Sequence, residues 1–487
     1  MHKPRIFLRL ALILSLLLFT TMILAHDDDP PDPDSAVDEH HSDSDVHVED
    51  YAFDTQLTYY EHVQPILQSN CVGCHVEGQI SGDIPLDDPD YVNEIAEDIA
   101  RVVETRYMPP WMPDQQHVTP LKQPRILADE DIALLVQWVE AGAEMGDPAN
   151  AVNAENTFAL PEIRADDRLT LREPYLPSGQ NTDDYRCFAY AVNIDEPMYL
   201  TGYVFEPDQT EMVHHGLLYL VPGSSQAQID RRNGADGQDG WSCYNTTGIS
   251  GEQILGTWTP GTFPVQYPEN TGFLVQPDDV LVMQIHYYTG IVREPDNTHI
   301  DLQFDPVTDE VQPLVTFDLT APVEIPCPEG VDNPLCDRNA SIRDTAERYG
   351  DEFLRRPNGL LQFCGKTLAD YKGIDPTHAE SSCEIRVPFD ITAIGVFGHM
   401  HELGKTFHME LNPGEEDARM LLDIPRWDFH WQDTYHFEEP ITFKRGDTIR
   451  MTCVWDATLS DDPRYVVWGE GTEDEMCFGT LTLLDPA

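Results

Sequence analysis

The chain has 487 residues, with 87 acidic against 29 basic side chains and a formal net charge of −58 at pH 7. Such a surface repels polyphosphates, which excludes nucleic acid as a partner and makes anionic lipid a poor one. The length calls for more than one domain, and so large an acidic excess suits life in high salt, where screening weakens self-repulsion.

At the N-terminus, Lys3, Arg5 and Arg9 precede or flank the uncharged run LALILSLLLFTTMILA, which ends at Ala25 before an Asp-rich stretch. A basic start, a short apolar run and a small final residue identify residues 1–25 as a secretory signal. The run is shorter than the ~20 residues that a spanning helix needs. Ile23 fits poorly three places before the cleavage point, so a membrane becomes a partner only if this segment stays uncleaved. The expected location is periplasmic or extracellular. Residues 26–54, rich in Asp and Pro and poor in apolar side chains, are expected to form a disordered acidic linker. Its four histidines, His26, His40, His41 and His47, could collect metal loosely, but a solvated tether is the plainer reading.

Residues 55–150 carry the runs YVNEIAEDIARVV and DEDIALLVQWVEAGA, whose apolar residues recur at intervals of three and four and predict helices. Before them, CVGCH follows the helical YYEHVQPILQSN. In an exported chain, C-x-x-C-H reads as covalent attachment of one haem c through Cys71 and Cys74, with His75 as an axial iron ligand. The bland alternative is a disulfide or zinc pair beside an accidental histidine. YMPPW then offers Met108 as the second axial ligand, in a loop stiffened by proline, with Met112 as a rival that spacing leaves open. The order of these parts resembles a small class I cytochrome c domain. His/Met ligation would saturate the iron, so the resemblance implies electron carriage.

Beyond residue 165 the texture changes to short β-branched and aromatic runs, such as MYLTGYVF, VLVMQIHYYTG and TIRMTCVWD, broken by Pro, Gly, Asn and Asp. That is an all-β pattern of sandwich type. Several of these runs carry histidine. EMVHHGLLYL contains His214 and His215, which on a regular strand face opposite sides and could share a metal only through a local twist or different ring nitrogens. VLVMQIHYYTG contains His286. GHMHELG contains His399 and His401, which at i and i+2 on a strand face one side. GTEDEMCFGTL sets Met476 beside Cys477, so on a strand one could meet a metal while the other makes a disulfide. Imidazole with thioether favours Cu(I) over harder ions. Singly, each histidine is more often structural than a ligand, and His299, His378, His408, His430 and His436 keep that reading.

In order, VHHGLL, MQIHY, GHMHELGK and TEDEMC resemble the metal motifs of the copper type II ascorbate-dependent monooxygenases, the family of peptidylglycine α-hydroxylating and dopamine β-monooxygenases. The resemblance spans residues 165–487. It implies two antiparallel, jelly-roll-like β-sandwiches, each holding one copper ion, that face each other across a wet cleft. It implies that His214, His215 and His286 bind an electron-storing copper. It further implies that His399, His401 and Met476 bind the copper where O2 and substrate react. Two positions depart from the peptide-amidating members. Phe397 stands where they have an arginine that grips the substrate carboxylate, and Thr480 stands where they have a tyrosine. Losing that bidentate contact makes a peptidylglycine a poor substrate.

The full expectation is therefore a signal (1–25), a linker (26–54), an all-α cytochrome c domain (55–150), a first sandwich (165–318) and a second (319–487) interrupted by a Cys-rich insertion (322–385). It would be a monooxygenase that hydroxylates a C–H bond of a small organic molecule with O2. An external donor (a cytochrome, a quinol-linked protein or a small reductant) would feed it through the haem. The alternative is a non-catalytic copper and haem electron-transfer or copper-binding protein. Eight cysteines remain outside the haem motif, and an even, widely spaced set in an exported chain reads as a disulfide framework. Cys187 and Cys243 flank the His214–His215 motif and are expected to close a loop around it. Cys453 and Cys477 are expected to join neighbouring strands beside Met476. Cys327, Cys336, Cys364 and Cys383 allow three pairings, of which Cys327–Cys336 with Cys364–Cys383 is favoured.

Overall fold

The computed structural model describes residues 47–485, apart from 78–80, 115–117, 159, 180–181, 245 and 261. The signal segment and most of the acidic linker lie outside the described residues. No helix among those described is long and apolar enough to cross a membrane.

Residues 59–140 hold the short helices Gln64–Asn70, Pro89–Glu94, Ala96–Glu104 and Asp129–Glu140. Each starts or packs for a local reason. Asp88 caps its helix by accepting from the amides of Asp90 and Tyr91, with Pro89 in the first turn, where its missing N–H costs nothing. In Ala96–Glu104 the residues Ala96, Ile99, Ala100 and Val103 form one buried stripe. Asp129, Glu130 and Asp131 crowd the positive end of the last helix. Leu67, Val92, Ile99, Val103, Leu135 and Trp138 close a core of their own. The end of the expected linker belongs to this body. Gln137 Nε2 donates to the carbonyls of Val48 and Tyr51 at 2.9 and 2.8 Å, and Val48 and Phe53 pack on the helical core. Residues 48–53 thus pack on the helical body, their backbone carbonyls meeting the part-buried Gln137 amide and two apolar side chains meeting the core.

The rest is mostly antiparallel β-structure. One nine-stranded sheet runs through both halves. Its first part contains Asp167–Thr170, His299–Pro306, Met198–Glu206 and Thr271–Val275, and its second contains Gln312–Thr320, Phe478–Leu484, Ile391–His399 and Tyr435–Phe443. The two parts meet where Gln312 and Pro313 pair in parallel with Thr271 and Gly272. Gln312–Thr320 pairs along its length with Phe478–Leu484. It therefore belongs to the second sandwich, and the expected boundary after residue 318 falls inside a strand.

A five-stranded sheet covers the first part, in the order Trp241–Ser242, Asp183–Ala191, Val280–Tyr288, Val213–Val221, Gln253–Trp258. The central strand Val280–Tyr288 is buried on both faces up to Tyr287. Leu281, Met283, Ile285 and Tyr287 enter the core between the sheets, while Val280 and Val282 face a second cluster with Cys187 and Cys243. A four-stranded sheet, Ala379–Arg386, Thr448–Trp455, Gly404–Leu411 and Arg419–Ile424, covers the second part over a core that includes Val396, Phe407, Met409, Leu422, Met451 and Leu481.

The disulfides are Cys187–Cys243, Cys327–Cys336, Cys364–Cys383 and Cys453–Cys477, the pairing favoured from sequence. Cys71 and Cys74 are unpaired. The insertion folds into the helices Arg338–Tyr349 and Arg356–Phe363, whose Tyr349 and Leu360, with Phe353 from the turn between them, join the core of the second sandwich.

Candidate metal centre

The adjacent histidines meet a metal-like geometry through a β-bulge. On the pairing of Val213–Val221 with Val280–Tyr288, Val213 sits opposite Tyr287 and His215 opposite His286, so His214 has no partner. One extra residue on one strand breaks the alternation of faces, and both imidazoles turn to the same side as His286. The His286 Nδ1 atom lies 3.0 Å from His214 Nδ1 and 3.3 Å from His215 Nδ1. Candidate ligand atoms of all three lie within 4.8 Å of one another. Two nitrogens bound at ~2.0–2.1 Å to one tetrahedral ion stand about 3.3 Å apart, so the spacing fits a chelate.

Protonation is set by the far side of the ring. His286 Nε2 lies 2.7 Å from Asp183 Oδ1. A carboxylate only accepts, so Nε2 carries the proton and the Nδ1 lone pair faces the other two rings. Burial disfavours the Asp183 anion, yet the His286 contact holds its pKa well below the usual range. Tyr185, directly paired with His286, stacks on it at 4.0 Å.

The second pair sits at the end of a strand rather than within it. Ile391–His399 ends at His399, and His401 lies just beyond, its ring centroid 5.0 Å from that of His399. Between them Met400 is fully buried in the core, so the alternation survives the strand's end. His399 Nδ1 lies 2.6 Å from Gln432 Oε1, and Gln432 Nε2 donates to the Phe429 carbonyl at 2.7 Å. That second bond fixes the amide orientation, so His399 donates from Nδ1 and leaves Nε2 free. His401 Nδ1 likewise donates to the Asp474 carbonyl at 3.0 Å. Burial keeps both rings neutral, with pKa values pushed down to about 3 for His399 and about 4 for His401.

Met476 and Cys477 precede the strand Phe478–Leu484 rather than lying in it. Cys477 is fully buried in its disulfide and Met476 is 9% exposed. Glu475 ties this segment to the histidines. Its carboxylate accepts from the amides of His401 and Leu403 at 2.9 and 2.7 Å, from Trp455 Nε1 at 2.9 Å and from the Met476 amide at 3.2 Å. Burial, working against those four bonds, pushes its pKa up to about 8.

The two histidine clusters are neighbours. The rings of His215 and His399 are 6.4 Å apart, and Phe429 stacks on His214 at 5.1 Å while meeting His401 edge-on at 6.2 Å. A cavity of about 300 Å³ opens against His214, His215 and His399, with Tyr288, Phe429 and Gln432 in its wall. Glu402, Glu473 and His430 also face it, and no Lys or Arg among the described residues does. His430, given a purely structural role from sequence, thus borders the cavity, and Asp428 at 3.1 Å raises its pKa. Phe397 and Thr480 pair across neighbouring strands, and Thr480 donates to Asp318.

The C-x-x-C-H motif forms a turn just after the helix Gln64–Asn70, with the His75 amide donating to the Cys71 carbonyl at 3.0 Å. His75 Nδ1 is buried with no hydrogen-bond partner among the described residues, and burial lowers the ring's pKa. Met108 precedes a cis peptide bond to Pro109. Met112 is engaged elsewhere: its sulfur accepts from the Asp428 amide at 3.2 Å, and its side chain packs on the core of the second sandwich. The loop around these methionines docks on that sandwich. Tyr107 meets Trp431 edge-on at 5.5 Å, Trp111 meets Tyr435 at 5.2 Å, and Arg125 pairs with Asp433 at 2.9 Å.

Sequence reasoning did not find Asp183, Gln432, Phe429 or Glu475. Only Glu475 carried a local signal, its place beside Met476.

Residues 363–482 match the family model described as copper type II ascorbate-dependent monooxygenase, C-terminal domain. A chicken (Gallus gallus) protein described as DBH-like monooxygenase protein 1 is 22% identical over 345 residues, covering 68% of this chain and 48% of that protein. The chain thus spans about half the length of this curated relative. Both matches support that family. Among solved structures, one of PNGF-II aligns over 65% of each chain at 8% identity, with a TM-score of 0.26. One of a Paenibacillus xanthan lyase covers 67% of this chain and 26% of the other at 12% identity, with a TM-score of 0.17. Scores so low carry no argument.

Proposed function

We propose that this chain is an exported, haem-containing copper monooxygenase that uses O2 to hydroxylate a C–H bond of a small organic molecule. The observation that carries this reading is the neighbouring pair of histidine clusters, His214, His215 and His286 beside His399 and His401, three of whose rings (His214, His215 and His399) line one cavity. His214, His215 and His286 would hold one copper ion, and His399, His401 and Met476 the other, a nitrogen and thioether set suited to copper. Bound copper would supply one-electron chemistry toward O2 at the second site. The residues around it have separate tasks. Asp183, Gln432 and the Asp474 carbonyl hold the ring protons away from the metal side, and Glu475 fixes the backbone on which His401 and Met476 stand.

Substrate preference follows from charge. With Phe397 and Thr480 at the clamp positions and no Lys or Arg among the described residues of the cavity wall, a carboxylate finds no bidentate clamp there. A neutral or cationic molecule small enough for about 300 Å³ fits better.

Cys71 and Cys74 are unpaired beside four formed disulfides, and His75 has a buried ring nitrogen without a partner among the described residues. These features support covalent attachment of a haem c, with His75 as one axial ligand. Because Met112 already serves the sandwich, Met108 is the second. A haem there would supply single electrons drawn from an external donor. The residues Asp428–Asp433 touch both Met112 and Tyr107 on one side and His399 and His214 on the other. That contact supports delivery through the helical segment. Four disulfides fit an oxidising, exported location.

The deciding experiment is O2 uptake by the reduced, copper-loaded protein against a panel of small organic compounds, with mass spectrometry of the products. Incorporation of one labelled oxygen atom into a product is the expected result. Copper and haem that cycle between oxidation states without O2 uptake would make the protein a carrier instead.

A further inference from the structure

The Cys-rich insertion is the largest element that the proposed reaction leaves idle. Its helix Arg338–Tyr349 is stapled at both sides in sequence, by Cys327–Cys336 just before it and Cys364–Cys383 beyond it. The helix ends in an Arg–Tyr pair. Arg348 grips Asp474 with two nitrogens, 2.8 and 2.6 Å from the two carboxylate oxygens, and donates to Tyr349 Oη at 2.9 Å. Tyr349 Oη, 3.5 Å from Asp183 Oδ2, donates to that carboxylate. Asp183 is the partner of His286, and the Asp474 carbonyl is the partner of His401. A continuous chain, His286–Asp183–Tyr349–Arg348–Asp474–His401, thus joins one imidazole of each cluster.

We propose that Arg348 and Tyr349 are positioning residues that lock the two histidine clusters at their short spacing by tying together the groups that orient His286 and His401. The proposal rests on reading the clusters as two metal sites. A ligand histidine is aimed by the partner of its other nitrogen, so two partners fixed to one side-chain pair cannot move independently. The need for a lock is visible in the fold. Among the described residues the two parts of the long sheet pair through Gln312–Thr271 and Pro313–Gly272, so side-chain contacts such as Tyr185 with the Glu470 carbonyl and Thr262 with the Gln432 carbonyl must hold the rest of the seam. Simple neutralisation of Asp474 does not account for the pair. Arg464 already lies 3.2 Å from that carboxylate, and neutralisation gives Tyr349 no reason to reach Asp183. Thr472 crosses the same gap, donating to Asp183 Oδ1 at 3.3 Å from two residues before Asp474.

The test uses the full chain with Tyr349→Phe, which keeps the ring, and Arg348→Lys, which keeps the charge. In the metal-free protein, nitrogen-15 NMR follows solvent exchange of the ring protons on His286 Nε2 and His401 Nδ1. After loading with Cu(II), electron paramagnetic resonance follows dipolar broadening between the ions. Tyr349→Phe should speed exchange at both rings at least tenfold, and the copper signal should lose its broadening while two ions per chain remain bound. Unchanged exchange, or a change at His286 alone, would overturn the lock, as would unchanged broadening. A parent chain that binds fewer than two Cu(II) ions would instead sink the metal reading, while the metal-free exchange rates still judge the lock.

Discussion

His399 Nδ1 donates to Gln432 Oε1 across 2.6 Å, and the residue next to Gln432, Trp431, rests edge-on against Tyr107 at 5.5 Å. One turn of chain therefore joins a histidine of the candidate metal centre to the loop that carries Met108.

Gln432→Ala should free the His399 ring to rotate and change tautomer. Loss of such an outer partner costs about 10–100-fold in metal affinity. Competition with a copper chelator should show that loss at one of two sites, leaving the three-histidine site unchanged. Equal weakening at both would mean that Gln432 acts on the whole fold.

Met476→Ile retains bulk and removes the thioether. Stability should fall by less than ~1.5 kcal/mol, since the swap conserves volume. X-ray absorption of the Cu(I) protein should lose its sulfur scatterer, while Cu(II) stays held by His399 and His401. A sulfur scatterer that persists would remove Met476 from the site.

Above about pH 8, where Glu475 is ionised, Glu475→Gln replaces one acceptor oxygen by an NH2 group amid four N–H donors. A buried clash of donors costs roughly 1–3 kcal/mol, measurable by urea unfolding. The His401–Leu403 turn should loosen, so ligand exchange at His401 should accelerate too. A variant as stable as the parent would show that the carboxylate is dispensable.

Met112→Ala and Met108→Ala should separate two roles. Met108→Ala should abolish the sulfur-to-iron absorption band of the haem protein. Met112→Ala should leave that band intact and raise hydrogen exchange at the Asp428 amide, which loses its sulfur acceptor. The opposite pattern would exchange the two assignments.

Arg186 is buried and pairs with the half-exposed Asp236 at 2.5 and 3.0 Å. This hydrogen-bonded pairing pulls the Asp236 pKa down to about 2. Because the folded-state value lies below that of the unfolded chain, the contribution to stability is complete above about pH 4. It is lost as the pH falls through about 2. Asp236→Asn should therefore be less stable than the parent at neutral pH, with the gap closing between pH 4 and 2. A gap independent of pH would locate the loss in packing rather than in charge.

Much of this molecule could be read from local pattern. The apolar stripe Ala96, Ile99, Ala100 and Val103 announced its helix, and the runs around Met198, Val280 and Thr448 announced strands, because side-chain periodicity is a property of neighbours in sequence. The eight cysteines outside Cys71 and Cys74 announced four disulfides, and the favoured pairing was the one formed. The histidine motifs named the five imidazoles that the candidate centre brings near one another, His214, His215, His286, His399 and His401. What neighbours could not reveal was set at long range. Strand alternation put His214 and His215 on opposite faces, and only the register against Tyr287 and His286 created the bulge that turns them together. Among 87 acidic residues, nothing local distinguished Asp183, and Glu475 was marked only by its place beside Met476. Their roles arise because Asp183 meets His286 from 103 residues away and Glu475 meets His401 from 74. The same holds for Gln432, for the docking of the helical segment and for the Arg348–Tyr349 pair. Each depends on which surfaces the packed sheets bring within hydrogen-bond reach, and tertiary packing alone decides that.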